Sequence, residues 1–195
     1  MTYRAALCGL CLTALGGFIF AEKNSIAGDY DRLIVGEDNG LVTGSFHDCT
    51  GERKFECAFS FEGRRQGNQF RIRAYETDSK EAIPGTLIVD GKNLTLRLET
   101  LPGGCWNVEP ELNKAGARVL LNAALPWLGI ATLKEESHLY DDQGKKTSAR
   151  FGKLQTVGIL KKKPGWVLIE KLSNRREKGW IRDSALYPLH NPSLF

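Results

Sequence analysis

Apolar and polar residues alternate along most of the first hundred positions, in short runs separated by glycine-bearing turns. Phe55, Cys57, Phe59 and Phe61 alternate with Glu56, Ala58, Ser60 and Glu62. On a strand this places the cysteine on one buried face with three phenylalanines. Residues 70–75 alternate apolar with charged, and Leu94, Leu96 and Leu98 point away from Thr95, Arg97 and Glu99. Runs at 30–35 and 41–46 flank Glu37-Asp38-Asn39-Gly40, and Asn-Gly accepts the positive φ of a tight hairpin. Runs at 86–89 and 94–98 flank a second such turn, Asp90-Gly91-Lys92-Asn93. Polar turns are expected at 47–54 and 63–67, and a polar loop at 77–85. Nothing asks for a helix longer than a turn or two. The economical reading is a meander of six antiparallel strands, curled into a barrel or sandwich to hide its edges.

Residues 101–129 form a transition, broken by Pro102, Gly103, Gly104 and Pro110. Residues 117–121 offer one last strand, and the apolar stretch 120–128 is placed to pack between two halves. The boundary is set near Leu125. From Ile130 the β pattern restarts, through 132–134, 138–140 and 154–160, with Lys161-Lys162-Lys163-Pro164-Gly165 read as a turn. Then Gly165-Trp166 and Gly179-Trp180 each lead a short β run, joined by the polar loop 173–178, and residues 185–187 complete the set. These two runs are expected to pair. The chain therefore reads as all-β, with one antiparallel unit at 22–125 and a smaller one at 126–195.

Composition narrows the setting. With 42% hydrophobic and 26% charged residues the chain is globular rather than disordered. A net charge of +4 falls short of a nucleic-acid footprint, so no nucleic-acid partner is expected. Residues 1–21 have the form of a secretory signal: Arg4, then an apolar run to Phe20, then Ala21 before Glu22-Lys23. The run is short and glycine-interrupted for a membrane span, so no stable insertion is expected after cleavage; an uncleaved anchor is the rival. Periplasmic or secreted localisation follows. Cys8 and Cys11 lie inside this leader, which leaves Cys49, Cys57 and Cys105. In an oxidising compartment one disulfide is expected. Cys57–Cys105 is preferred, because Cys57 lies on an apolar face and Cys105 neighbours Trp106, a residue expected in a core. Cys49–Cys57, across a hairpin, is the rival.

The segments Leu154-Gln155-Thr156-Val157-Gly158-Ile159-Leu160, Gly165-Trp166-Val167-Leu168-Ile169 and Lys178-Gly179-Trp180-Ile181, followed by Leu186, resemble the bacterial SH3-like domain of exported proteins. The resemblance covers about the last third of the chain and implies a small β-barrel that binds peptides, peptidoglycan or another protein, without catalysis. The chain departs from the family's opening segment, of the type Leu-Asn-Val-Arg-Ser-Gly-Pro, carrying Ser137-His138-Leu139-Tyr140-Asp141-Asp142 instead. No family is recognised for residues 30–109.

Candidate chemistry is sparse. His47-Asp48-Cys49 sets three reactive types side by side, but strand neighbours point to opposite faces and a polar turn explains them. His47, His138 and His190 are too dispersed for a zinc site, so no metal and no cofactor is expected. Adjacent acids at 135–136 and 141–142 read as solvated positions. The basic residues at 161–163 and at Arg175, Arg176 and Lys178 would lie at opposite ends of the Gly-Trp hairpin and need not form one patch. Trp166, Trp180, Tyr140 and Tyr187 are the candidate ligand-binding residues, divided between core and groove, with Trp166 favoured for the surface. No catalytic residue is assigned. The expected function is a non-enzymatic binding protein of the cell envelope, directed at peptidoglycan or an envelope protein. An inhibitor or immunity protein against a cell-wall or membrane hydrolase is the alternative, and an envelope enzyme the third reading.

Overall fold

A computed structural model describes residues 25–187 except 53, 77–80 and 176; the leader, with Cys8 and Cys11, and also Arg176 and His190 lie outside the described residues. Strand accounts for 60% of the structure and helix for 4%, with the strands nearly all antiparallel, so the chain is all-β. The first sheet contains β1 (Gly28–Tyr30), β2 (Leu33–Asp38), β3 (Leu41–Thr50), β4 (Phe55–Gln66), β5 (Gln69–Tyr75), β6 (Ile83–Asp90) and β7 (Asn93–Leu98). After α1 (Cys105–Val108) come β8 (Ala117–Val119) and β9 (Leu121–Ala124). Their order in the sheet is β8-β7-β6-β5-β4-β3-β2-β1-β9.

That order makes a nearly closed barrel. β8 bonds β7 at one edge and β9 bonds β1 at the other, yet Leu120 alone separates them in the chain. Consecutive Cα atoms lie about 3.8 Å apart, so the two edges must come together at this residue. The Asp31 N–H donates to the Leu120 carbonyl (3.2 Å), and the Leu120 N–H donates to Asp31 Oδ2 (3.3 Å). The six-strand meander expected from the pattern is therefore too small. The run at 30–35 breaks at Asp31-Arg32 into two strands, and 121–124 adds a closing strand. The hairpin turn narrows to Asn39-Gly40, with φ of 53° and 79° as a two-residue hairpin requires.

Register decides what the barrel contains. Val42, Phe46, Phe59, Phe61, Phe70, Ile72, Leu87, Leu94 and Leu96 are buried in one cluster, with Phe46 stacked on Phe59. One end holds an ion pair: Arg65 reaches Glu37 through three hydrogen bonds of 2.8–3.1 Å and lies 4.4 Å over the Phe70 ring. The opposite end is covered by α1, which the Cys57–Cys105 disulfide ties to β4. The rival bridge fails on geometry, because Asp48 lies opposite Cys57 and Cys49 lies opposite Glu56, so Cys49 faces outward, exposed and free. Two sequence expectations are corrected. Phe55 overhangs the end of the barrel at 46% exposed, and Trp106, expected in a core, is 65% exposed.

The second sheet contains β10 (Gly129–Thr132), β11 (Ser137–Tyr140), β12 (Lys146–Phe151), β13 (Thr156–Lys163), β14 (Trp166–Lys171) and β15 (Lys178–Arg182), in the order β10-β13-β14-β15-β11-β12. A 3-10 turn (Asp183–Ala185) follows, and Leu186 bridges Leu133. The two Gly-Trp runs pair directly, from Trp166 opposite Arg182 to Glu170 opposite Lys178. Lys161 to Lys163, read as a turn, belong to β13, and the turn is Pro164-Gly165. The core of this sheet holds Leu133, Leu139, Phe151, Val157, Ile159, Val167, Ile169 and Ile181.

The sheets meet at β10 and at the stretch before it. Gly36 on the outside of β2 lets β10 approach: a Cβ there would sit 2.3 Å from the Gly129 Cα. The Ile130 N–H donates to Thr43 Oγ1 (2.7 Å), and the Glu37 N–H donates to the Trp127 carbonyl (2.9 Å). Trp127, 1% exposed, packs with Ala27 and Ile130 between the sheets and donates its Nε1–H to the buried Glu170 (2.6 Å). Lys162–Asp38 (2.8 Å) and Arg175–Asp29 (2.7 Å) flank the junction.

Candidate functional site

Three of the four aromatic residues singled out in the sequence converge. On the face of the second sheet opposite its core, register aligns two neighbouring rows. One contains Lys161, Leu168, Trp180 and Tyr140, the other Lys163, Trp166 and Arg182. The alternation of β14 and β15 dictates this: Val167, Ile169 and Ile181 turn inward, so Trp166, Leu168 and Trp180 turn outward. Tyr140 meets Trp166 edge-on, with ring centroids 5.2 Å apart. Arg182 Cζ lies 4.0 Å over the Trp166 ring, and Lys163 Nζ lies 3.9 Å over the Trp180 ring. Asp142, from the turn after β11, accepts the Trp180 Nε1–H (2.7 Å) and fixes that indole. Trp166 is half-buried and Trp180 only 8% exposed, so Trp166 offers more of its surface.

The result is a basic aromatic ledge. A guanidinium stacked on an indole keeps its in-plane N–H donors at its edge, and the ring holds it in place by cation–π attraction of about 0.5–2 kcal/mol. Such a surface suits carboxylates and planar amides, and the exposed parts of the rings offer apolar contact area at low entropy cost.

Tyr187, the fourth residue, lies elsewhere. At 43% exposed it lines a groove of about 650 Å³ between the outer face of β3 and β4 and the strand β10. Ser45, Ser60, Phe61, Ile130, Leu154 and Glu62 also line it. Glu62 is buried and accepts a hydrogen bond from the Tyr75 hydroxyl (3.2 Å); burial first, and the neighbouring Glu62 charge second, push the Tyr75 phenol above its usual range. The sequence carried no signal for this groove, because residues from both sheets build it.

The reactive trio at 47–49 does not assemble. His47 Nε2 lies 3.0 Å from Glu56 Oε1, while Asp48 turns to Arg32 (3.0 Å), which also pairs with Glu109. Among the described residues no group of three or more His, Cys, Asp or Glu side chains is arranged to hold a metal ion. No helix among them is long and apolar enough to cross a membrane. Comparison with family models, with curated proteins and with solved structures finds no match to the chain.

Proposed function

We propose that the protein is an exported, non-enzymatic binding protein of the bacterial cell envelope, and that the ledge of Tyr140, Trp166 and Trp180 holds peptidoglycan or an envelope protein. One observation carries this reading: three aromatic rings and two stacked cations from four strands share one outward face. Peptidoglycan matches that chemistry, with apolar sugar faces for the rings and stem-peptide carboxylates for Arg182 and Lys163. The resemblance of residues 154–186 to the SH3-like domain points the same way, and the Cys57–Cys105 disulfide agrees with an oxidising compartment.

Co-sedimentation of the purified chain with isolated sacculi tests it. The wild type is expected to pellet at low ionic strength. Trp166→Ala together with Arg182→Ala should weaken binding about tenfold, the loss of one charge-assisted contact. No co-sedimentation at low salt, or full retention by the double variant, refutes peptidoglycan as the ligand of this ledge.

A second reading, inhibition of a cell-wall hydrolase, draws on Trp106. This exposed indole stands on a turn that the disulfide clips to the barrel, and a rigid projecting aromatic fills a cleft at little ordering cost. An assay of envelope hydrolases against the wild type and Trp106→Ala decides it: inhibition lost in the variant supports this reading, and no inhibition at micromolar protein removes it.

A further inference from the structure

The barrel carries a second polar surface, remote in sequence from the ledge. On the outer face of β4 to β7, register aligns Arg64 opposite Arg71, Arg71 opposite Thr86 and Thr86 opposite Arg97. The adjoining row brings Arg73 opposite Pro84 and Pro84 next to Glu99. Because β6 presents only Pro84 and Thr86 outward here, a groove of about 800 Å³ opens along it. Arg71 and Arg73 form one bank and Arg97 the other.

Four arginines face one glutamate in this groove, in a chain whose total excess is +4. Like charges directly opposite on neighbouring strands oppose folding. Arg71, opposite Arg64, has no side-chain hydrogen bond or ion pair to offset that among the described residues, and neither has the Arg97 side chain, opposite Thr86. Strands lie about 4.8 Å apart, so Arg71 and Arg97, two strands apart, stand about 10 Å from each other. That is the length of a disaccharide. Neutral polar groups lie among the cations: Gln66, Thr86 and Asn113 all line the groove, and Asn113 Oδ1 is buried without a hydrogen-bond partner. A bare polyanion has no donor to give that oxygen, whereas a hydroxylated ligand does.

We infer that this groove binds an acidic glycan, a hydroxylated saccharide chain bearing carboxylates at intervals, with Arg71 and Arg97 taking successive anionic groups and Asn113 a hydroxyl. Arginine suits the task because its planar fork matches a carboxylate with two parallel hydrogen bonds. The site is independent of the ledge.

The test measures binding of the full chain to a polygalacturonate oligosaccharide at low and moderate salt. Neutral dextran, inorganic polyphosphate and a single-stranded oligodeoxynucleotide serve as comparisons. The acidic oligosaccharide is expected to bind and dextran not to bind. Arg71→Ala with Arg97→Ala should weaken binding at least tenfold and flatten its salt dependence, since fewer counterions are exchanged. Asn113→Ala should weaken the glycan but leave polyphosphate unchanged. Both arginines are exposed, and an unchanged thermal midpoint confirms that the variant folds. The inference is overturned by absence of oligosaccharide binding, by binding that survives the double variant, or by polyphosphate or oligonucleotide binding as tightly as the glycan.

Discussion

Trp127 and Trp106 are the same residue type, twenty-one positions apart, and the structure assigns them opposite energetic roles. Trp127 is 1% exposed, wedged between the two sheets; Trp106 is 65% exposed. A buried tryptophan removes about 200 Å² from water, which at about 25 cal/mol per Å² stabilises by roughly 5 kcal/mol. A compact unfolded chain already hides part of that area, bringing the figure nearer 3–4 kcal/mol. Truncations of large aromatics in cores independently cost about 3–5 kcal/mol. The Nε1–H donated to Glu170 adds about 1.5–3 kcal/mol, because its loss strands a buried carboxylate. Trp127→Ala is therefore expected to lose at least about 4 kcal/mol, a large share of the 5–15 kcal/mol typical of a folded chain. Trp106→Ala should stay within about 0.5 kcal/mol. Trp127→Phe keeps most of the apolar contact but lacks the donor and should lose about 2 kcal/mol, so it reports even if the alanine variant fails to fold. Urea titration followed by far-ultraviolet circular dichroism measures all three. A loss below about 1 kcal/mol for Trp127→Ala, or equal losses at the two tryptophans, would show that the sheets do not depend on this wedge.

Three further outcomes follow from the barrel. Replacing Cys57 and Cys105 together by alanine opens a cross-link spanning a sequence separation of 48 and should cost about 4 kcal/mol in the chain-entropy model, read as a fall in urea midpoint. Cys49→Ser, at an exposed free thiol, should leave that midpoint unchanged. Burial, with a smaller contribution from Glu37, pushes the Tyr30 phenol up to about 12. The unfolded chain ionises first, near pH 10, so this contribution is full below pH 10 and is lost as pH rises from 10 to 12, by roughly 3 kcal/mol in all. Tyr30→Phe should flatten that loss at the expense of about 1 kcal/mol for the bond to the Ile26 carbonyl. An unchanged alkaline stability profile in the variant contradicts the assignment.

Period-two alternation was enough to locate most of the strands, because a half-buried strand must separate its faces residue by residue. It marked β4, β5 and β7, but it divided Trp166 and Trp180 between core and groove, whereas both stand on one outward face. The pairing of Cys57 with Cys105 was legible in part: alternation aimed Cys57 inward, but Trp106, expected in a core beside Cys105, is exposed, and the outward turn of Cys49 came from the strand register. What alternation does not carry is the identity of the neighbouring strand. The closure at Leu120 depends on β8 and β9 reaching opposite edges of one sheet, which no local window contains. Trp106 reads as core by composition, yet it sits at the rim, where α1 covers the barrel with Cys105 rather than with the indole. The arginine row shows the division most plainly. Arg71 and Arg97 each appear in the sequence as an ordinary outward charge on an alternating strand, and Arg64 as part of a polar turn that the structure absorbs into β4; the three are separated by up to thirty-three positions. Their alignment, like the meeting of Lys163 and Arg182 with the Gly-Trp tryptophans, arises only when hydrogen-bond register places distant residues side by side. Within the alternating strands the chain thus determines by itself which way most side chains face, Phe55 at a strand end excepted; the tertiary structure decides which side chains they face with, because inward burial is a local energy and cross-strand neighbourhood is a global one.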